Sequence, residues 1–215
     1  RLYFFHLFEN EKQLNIFNPK YKYYIYEDMV DLNFDEISKF ILNLEKSLSH
    51  IKSSNLDGGT GLGDKSLTSK HSFYNLLSFK EMKKIKSLIR KHNKKFLSLL
   101  NTTYDKFYVK CWANVMRDSD KINMHHHNTG VHGYLVGHIC IRTKDTNTYY
   151  INPYTKKSFA SKNENGKITL FPAWLDHYTD KVFNDLRITI AFDIITEYSW
   201  SNNIAANMKK HWISL

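Results

Sequence analysis

The chain is poor in cysteine, proline and glycine. Its 215 residues include 2 cysteines, 3 prolines and 8 glycines. So few prolines and glycines exclude a collagen-like or linker-like chain, and two cysteines cannot form the disulfide framework of a small secreted domain. Because Cys111 and Cys140 each lie in an apolar, strand-like run outside any Cys-x-x-Cys pair, we expect both to be buried free thiols.

Long apolar runs are also missing, since no stretch approaches the roughly 20 residues that a transmembrane helix needs. Residues 1–7 are apolar but few, and they lack a small-residue cleavage site, so we expect no signal peptide. What the sequence does contain is 42% hydrophobic and 15% aromatic residues. A chain of this length and composition can bury one sizeable core, and we expect a single domain.

The net charge of +10 comes largely from one predicted helix, at residues 79–100. Its basic side chains are Lys80, Lys83, Lys84, Lys86, Arg90, Lys91, Lys94 and Lys95. Such a stretch permits contact with nucleic acid or with an acidic partner. We favour a solvated helix face instead, because runs of like charge usually face water.

Two helices are predicted in the N-terminal half. Asn33 can cap the first, with Glu36 as its capping-box partner, and the second follows Ser78, with Glu81 three residues on. Both continue with apolar residues at three- and four-residue steps. These residues are Phe34, Ile37, Ile41, Leu44 and Leu48 in the first helix, and Phe79, Met82, Ile85, Leu88 or Ile89, Phe96 and Leu100 in the second. Between the helices we expect a polar loop at residues 53–72, and we expect its glycine cluster at 58–63 to be mobile and near a cleft rather than a phosphate-binding loop.

From residue 104 onward, short β-branched and aromatic runs alternate with turn residues. Strands are predicted at 107–115, 133–142, 148–151, 167–171 and 187–195, after an earlier one at 21–26. This spacing indicates a β-sandwich or barrel rather than alternating βαβ units. Residues 202–215 form a tail that can add a short amphipathic helix.

Three consecutive histidines, His125 to His127, precede the strand predicted at 133–142. On an extended chain alternate side chains share a face, so His125 and His127 can present two imidazoles to one metal ion while His126 points away. His177, after a strand and a proline-marked turn, is the best third ligand. Alone, three histidines are weak evidence, since the chain has 11 and surface clusters are common.

The spacing of an arginine strengthens the metal hypothesis. Arg187 stands ten residues after His177, and Thr189 follows on the same strand face. A buried guanidinium pairs with a carboxylate through two hydrogen bonds, and a nearby hydroxyl can add another. This pair can therefore hold the far end of a dicarboxylate that chelates the metal. The alternative is a surface arginine in a salt bridge with Asp185 or Glu197.

The ordered motifs His-x-His, Phe-Pro-x-x-Leu-x-His and Arg-x-Thr resemble those of the iron(II)- and 2-oxoglutarate-dependent oxygenases. They are most similar to the small bacterial and phage group related to prolyl hydroxylases, over residues 110–195. The resemblance implies a mainly β fold with N-terminal helices and a double-stranded β-helix (jelly-roll) core. It implies iron(II) held by His125, His127 and His177, and 2-oxoglutarate held at its far carboxylate by Arg187 with Thr189. It also implies O2 as cosubstrate and ascorbate as a stimulant.

The activity implied by the resemblance is hydroxylation of a peptide, with a prolyl residue as first guess, or of a small molecule, releasing succinate and CO2. The implied organisation is one domain with three regions. Residues 1–103 supply a strand and helices that support the barrel, residues 104–201 form the catalytic β-helix, and residues 202–215 form the tail. We expect a cytoplasmic protein, of a bacterial cell or a phage-infected host, without membrane contact.

Departures from the family pattern leave alternatives open. His127 stands where the His-x-Asp motif has a carboxylate, and three neutral imidazoles also suit zinc or copper. The family often has tyrosines after the glycine equivalent to Gly137, whereas this chain has His138. Asn114, eleven residues before His125, can contact the near end of 2-oxoglutarate or link two strands. The rival functions are a cupin-like three-histidine enzyme that does not use 2-oxoglutarate and a non-catalytic phage structural or partner-binding protein.

Overall fold

The computed structural model describes residues 4–9, 17, 22–52, 59–102, 106–127 and 134–215. Within these residues the strands are β1 (Phe4–Glu9), β2 (Lys22–Met29), β3 (Phe107–Met116), β4 (Leu135–Arg142), β5 (Asn147–Ile151), β6 (Ser158–Lys162), β7 (Lys167–Pro172), β8 (His177–Thr179), β9 (Arg187–Thr196) and β10 (Ile213–Ser214). The α-helices are α1 (Phe34–Ser47), α2 (Lys83–Leu99) and α3 (Glu197–Asn203). Short 3-10 turns occupy Thr68–Lys70, Leu76–Ser78, Lys80–Met82 and Ala206–His211.

The strands form two antiparallel sheets. The larger sheet has the order β1-β2-β7-β4-β9-β3-β10, and the smaller has the order β6-β5-β8. One face of the larger sheet packs against α1 and α2 in the main hydrophobic core, while its other face meets the smaller sheet through contacts such as Tyr150 with Phe171. This arrangement is the double-stranded β-helix with N-terminal helices that the family resemblance implied.

Strand β9 shows how the two faces are used. Ile188, Ile190 and Ile194 point into the helix-covered core, whereas Arg187 and the residues at every second position after it point toward the smaller sheet. Both faces are covered, which is why nearly every residue of β9 is buried. The strand therefore carries polar side chains into a dry interior.

Most strand predictions are confirmed within one or two residues at the ends. The predicted starts at 21 and 133 lie outside the described residues, as does the proposed boundary between residues 103 and 104, so the division into three regions stays a prediction. Strands β1, β6, β8 and β10 were not predicted. Strand β8 has three residues and β10 has two, which is too short for a period-two pattern to stand out.

The first helix begins as predicted, and the second does not. The Asn33 side chain accepts a hydrogen bond from the backbone N–H of Glu36, which caps α1. Ser78 ends a 3-10 turn instead of capping a helix, and α2 begins only at Lys83. Asn75 takes the polar role in this region, because it accepts from Leu77 N and donates to a backbone carbonyl of β3.

The predicted loop near a cleft is present in its described part, residues 59–72, where Thr60 lines the cavity beside the histidines. This part of the loop includes a buried run at Leu67 to Lys70. It contacts the segment before the histidines, because Asn123 N donates a hydrogen bond to Thr60 O. Gly61 packs so closely against the Asn123 side chain that a Cβ would clash with it. The short helix predicted in the tail is a 3-10 helix at Ala206–His211, and β10 follows it and pairs with β3.

The predictions for the two cysteines and for the basic helix agree with the structure. Cys111 and Cys140 are buried free thiols. The basic side chains of α2 lie mostly on its exposed face, while Ile85, Ile89 and Phe96 are buried, which is the arrangement of a solvated helix face. Among the helices that the structure describes, none is long and apolar enough to cross a lipid bilayer.

Glu27 on β2 is a buried carboxylate that joins the two sheets. It accepts hydrogen bonds from Ser161 on β6 and from His6 on β1, and it lies 3.4 Å from the Lys167 ammonium on β7. Burial by itself raises the pKa of Glu27, but these hydrogen bonds and the charge of Lys167 outweigh it and lower the pKa from 4.5 to about 2. The ionised carboxylate therefore stabilises the fold.

We expect Glu27→Gln to lower the free energy of unfolding near neutral pH by roughly 3 kcal/mol, at about 1.36 kcal/mol for each pKa unit. Because the folded-state pKa is the lower one, this stabilisation is complete above the unfolded pKa of 4.5 and is lost as the pH falls toward 2. Urea unfolding at neutral pH and near pH 3 measures the difference. Glu9→Gln is the control, since Glu9 is half exposed and lies 3.9 Å from Lys22. An equal Glu27→Gln effect at both pH values would contradict the account.

Candidate active site

Two chain segments bring three histidines together. His177 begins β8, and the segment at residues 122–127 runs antiparallel to it. His125 N donates to His177 O at 3.1 Å, and His177 N donates to His125 O at 2.9 Å. His127 N donates to Ala173 O at 2.9 Å, which holds the second histidine of the pair in place. His125 and His177 thus form an isolated β-bridge.

The three rings face one another across a small space. One ligand atom from each of His125, His127 and His177 lies within 4.8 Å of the other two, so the group could hold a metal ion. His126 points away, and its Nδ1 donates to Asp176 at 2.9 Å on the surface. The alternation that the sequence predicts is therefore present.

Each ring has its Nδ1 atom engaged by an acceptor. The acceptors are the backbone oxygens of Asn123 for His125, at 2.8 Å, and of Leu175 for His177, at 3.0 Å. The Asp193 carboxylate is the acceptor for His127, at 2.6 Å. Because these oxygens only accept, each Nδ1 carries the proton and each Nε2 is left with a free lone pair. That lone pair is what binds a metal.

Burial keeps two of the rings neutral. Burial, with repulsion from His127, lowers the pKa of His125 to about 4. Burial also lowers the pKa of His177 well below its ordinary value, with a further contribution from His125. Both rings are therefore unprotonated near neutral pH, which is the form that ligates metals.

Arg187 at the start of β9 lies in the same cavity as the histidines. It is 2% exposed, and its Nη2 atom is 3.5 Å from the hydroxyl of Thr148 on β5. Its Nε and Nη1 atoms have no hydrogen-bond partner within the described residues. A buried guanidinium with two unpartnered nitrogens is costly, and a carboxylate in the cavity would satisfy it.

The surface alternative for this arginine is wrong. Asp185 pairs instead with Arg142, at 3.1 Å, and Glu197 pairs with Lys106, at 2.6 Å. Burial lowers the pKa of Arg187, because the charged form is desolvated. Because arginine stays protonated in proteins all the same, the side chain is a cation enclosed in the cavity.

Thr189 and Asn114 line the cavity beside Arg187. The Asn114 amide donates to the Thr189 hydroxyl at 3.3 Å, and its carbonyl oxygen accepts from the Thr68 hydroxyl at 2.6 Å. Asn114 therefore links β3, β9 and the turn at 68. The Thr189 hydroxyl accepts this bond and can still donate its own hydrogen to a bound carboxylate.

Thr148 and Asp193 were not singled out in the sequence, and the structure gives contacts to Phe171 and Gly137, which were. Thr148 contacts Arg187, and Phe171 packs edge-on against His177 with ring centroids 4.8 Å apart. Gly137 lines the cavity where only glycine fits, because a Cβ there would lie 2.5 Å from the backbone oxygen of Thr169. Asp193 could have been found, because it lies at a period-two position from Arg187 on the same strand.

The family model described as "Putative 2OG-Fe(II) oxygenase" matches residues 110–193. These residues hold the three clustered histidines, Arg187 and Thr189. A search of curated proteins finds no match. The match agrees with the family resemblance inferred from the sequence: this part of the chain is similar to the iron(II)- and 2-oxoglutarate-dependent oxygenases.

Solved structures agree with this class in fold. A prolyl hydroxylase from Trichoplax adhaerens, in complex with a hypoxia inducible factor oxygen degradation domain peptide fragment, is 12% identical with a TM-score of 0.58, covering 84% of this chain and 86% of that one. A Pseudomonas putida prolyl-4-hydroxylase is 5% identical with a TM-score of 0.54, covering 80% and 92%. The epimerase SnoN, in complex with Fe3+, alpha ketoglutarate and nogalamycin RO, is 12% identical with a TM-score of 0.52, covering 80% and 78%.

Iron(II) and 2-oxoglutarate are the metal and the cosubstrate of this class, and the cavity fits both. Three Nε2 lone pairs converge, which suits a divalent transition metal. The unpartnered nitrogens of Arg187 in the same cavity suit a dicarboxylate. A metal-only site would leave that buried cation without a partner.

Proposed function

We propose that the protein is a hydroxylase that binds iron(II) through His125, His127 and His177, and 2-oxoglutarate through Arg187 and Thr189. The observation that carries this proposal is the buried guanidinium of Arg187, with two unpartnered nitrogens, in the cavity that the histidines share. A dicarboxylate satisfies the guanidinium with one end and has a second carboxylate and an oxo group for the metal.

The chain's own residues prepare this site before anything binds. The acceptors at Nδ1 fix each ring with Nε2 toward the shared space, so little reorganisation is needed on binding. Trp112 stacks near His127, with ring centroids 5.7 Å apart, and Phe171 covers His177. These aromatic walls exclude water and strengthen the electrostatic attraction between Arg187 and a carboxylate.

When bound, iron(II) supplies the chemistry of the class: O2 is consumed, 2-oxoglutarate is converted to succinate and CO2, and a substrate C–H bond is hydroxylated. Arg187 and Thr189 hold the cosubstrate's far carboxylate. The three histidines would hold the metal, with 2-oxoglutarate and O2 as its other partners. Ascorbate, as a reductant, is the proposed stimulant.

A second hollow outside the histidines is the proposed entrance for the substrate. Its walls include Thr60, Thr68, His71, Trp112 and His126. A peptide, with a prolyl residue as first choice, is the proposed substrate, and two of the structures similar in fold are prolyl hydroxylases. A small molecule is the second candidate, since SnoN was solved with nogalamycin RO.

Incorporation of oxygen from 18O2 tests the hydroxylase proposal. The purified protein is incubated with iron(II), ascorbate, 2-oxoglutarate and a peptide library in which each proline-containing peptide has a partner with alanine in that place. We expect one labelled oxygen atom in succinate and one in a proline-containing peptide. Labelled succinate with label in no peptide would refute the peptide substrate, and no conversion of 2-oxoglutarate would favour the cupin-like three-histidine enzyme.

A further inference from the structure

Asp193 on β9 contacts one of the three histidines and has no other assigned role. Its Oδ1 atom accepts a hydrogen bond from Nδ1 of His127 at 2.6 Å, which is the one ion pair that Asp193 forms within the described residues. The side chains are 26% and 15% exposed, so water screens the contact only in part. The short distance is typical of a hydrogen bond to a charged group.

The other two histidines have neutral acceptors. Nδ1 of His125 and of His177 donate to backbone carbonyls. A negative charge therefore stands behind His127 alone. The usual motif has a carboxylate ligand at the position of His127. In this chain the carboxylate, Asp193, lies behind His127 and contacts its ring instead of the metal site.

We propose that Asp193 is a positioning residue that restores, through His127, the negative charge of the usual carboxylate ligand. The inference rests on the proposed function, because it takes the three histidines as the metal's ligands. By accepting a hydrogen bond from Nδ1 of His127, Asp193 keeps Nε2 directed toward the metal and makes the ring a stronger electron donor. The charge of the whole set then equals that of two histidines and one carboxylate.

The other charged groups near Asp193 do not replace His127 as its partner. Lys110 lies opposite Asp193 in the β3–β9 pairing and is buried. Burial lowers the pKa of Lys110, and the charge of Asp193 raises it in part. No ion pair within 4.0 Å joins Lys110 to Asp193, so the carboxylate's direct contact is with the histidine ring.

Cobalt(II) titration of the metal-free full-length protein, followed by visible absorption, tests the inference without any turnover. Asp193→Asn keeps the shape of the side chain and removes its charge. We expect it to weaken cobalt(II) binding by about 10- to 100-fold, as loss of an outer-shell carboxylate does elsewhere. Asp176→Asn is the matched control, because Asp176 holds the outward-pointing His126 in the same way, at 2.9 Å. The control should bind cobalt(II) as the wild type does.

Making Asp193→Asn in the His127→Asp protein separates the effect of charge from structural support. In His127→Asp the metal has a carboxylate ligand at position 127, so the negative charge of Asp193 is not needed and repels that carboxylate. We expect Asp193→Asn to cost nothing, or to tighten cobalt(II) binding, in that background. Asp193→Glu, which keeps the charge, should bind cobalt(II) within about tenfold of the wild type, at the mild end of the outer-shell range.

The outcomes distinguish this inference from the proposed function. A wild-type protein that binds no cobalt(II) would overturn both. Tight binding by the wild type, with an unchanged affinity in Asp193→Asn or the same loss in both backgrounds, would overturn the role of Asp193 alone. If Asp193→Asn does not fold, as judged by circular dichroism, Asp193→Glu decides: a loss well beyond tenfold would refute the charge argument.

Discussion

His177→Ala is expected to lose the tightly bound iron(II) of the wild-type protein. His177 is buried, and its ring lies 4.3 Å from that of His125 and 5.3 Å from that of His127, so it is central to the cluster. Loss of an outer-shell partner weakens metal binding by about 10- to 100-fold, and loss of a ligand should exceed that range. Anaerobic equilibrium binding of iron(II), with the metal content of the dialysed protein, measures the effect.

The neighbouring histidine supplies the control. His126 has the same side chain, lies in the same run, and donates to Asp176 on the surface instead of facing the cluster. His126→Ala should therefore keep the iron(II) affinity of the wild type. Because His177 also contacts Phe171, folding of His177→Ala is checked by circular dichroism. A folded His177→Ala protein that holds iron(II) as firmly as His126→Ala would contradict the assignment of the ligand.

Arg187→Met is expected to change stability and cosubstrate binding in opposite directions. Without 2-oxoglutarate, the guanidinium is buried with two unpartnered nitrogens, so methionine, of similar length and uncharged, should stabilise the fold by about 1–3 kcal/mol. With 2-oxoglutarate, the same change removes the partner of its far carboxylate. Removing one member of a buried charged pair costs about 2–5 kcal/mol, so KM for 2-oxoglutarate should rise by at least about 30-fold.

Thermal unfolding and 2-oxoglutarate kinetics measure the two effects in the same preparations. Arg142→Met is the control, since Arg142 is half exposed and pairs with Asp185. It should change neither KM for 2-oxoglutarate nor, beyond a few tenths of a kcal/mol, stability. If Arg187→Met kept the wild-type KM for 2-oxoglutarate, Arg187 would not bind the far carboxylate. That result would favour the three-histidine enzyme that does not use 2-oxoglutarate.

Much of the site could be predicted because it depends on short-range geometry. Alternation along an extended chain places His125 and His127 on one side, and it places Arg187 and Thr189 on one strand face. Asp193 lies four residues after Thr189, on the same face of β9, so the same rule could have found it. What the rule could not provide is which ring lies against that carboxylate, since the partner is 66 residues away in the chain.

The errors concern residues whose structure is set by distant contacts. Ser78 has the sequence pattern of a helix cap, but Asn75 binds the carbonyl of Val109 on β3 and holds this stretch in 3-10 turns. At Ser78 local propensity favours the wrong state, and tertiary packing decides. The glycine-containing segment at 59–72 is a loop, as predicted, but its packing of Gly61 against Asn123 also depends on a distant contact.

Succinate formation from 2-oxoglutarate tests the central claim most directly. The wild-type protein, given iron(II), ascorbate and O2 without its substrate, should release succinate slowly, and the release should stop under anaerobic conditions. His177→Ala should show no release above background. At the 2-oxoglutarate concentration that half-saturates the wild type, Arg187→Met should release succinate at least about tenfold more slowly than the wild type, while His126→Ala should match the wild type. Equal succinate formation in all four proteins, or none in the wild type, would contradict the account.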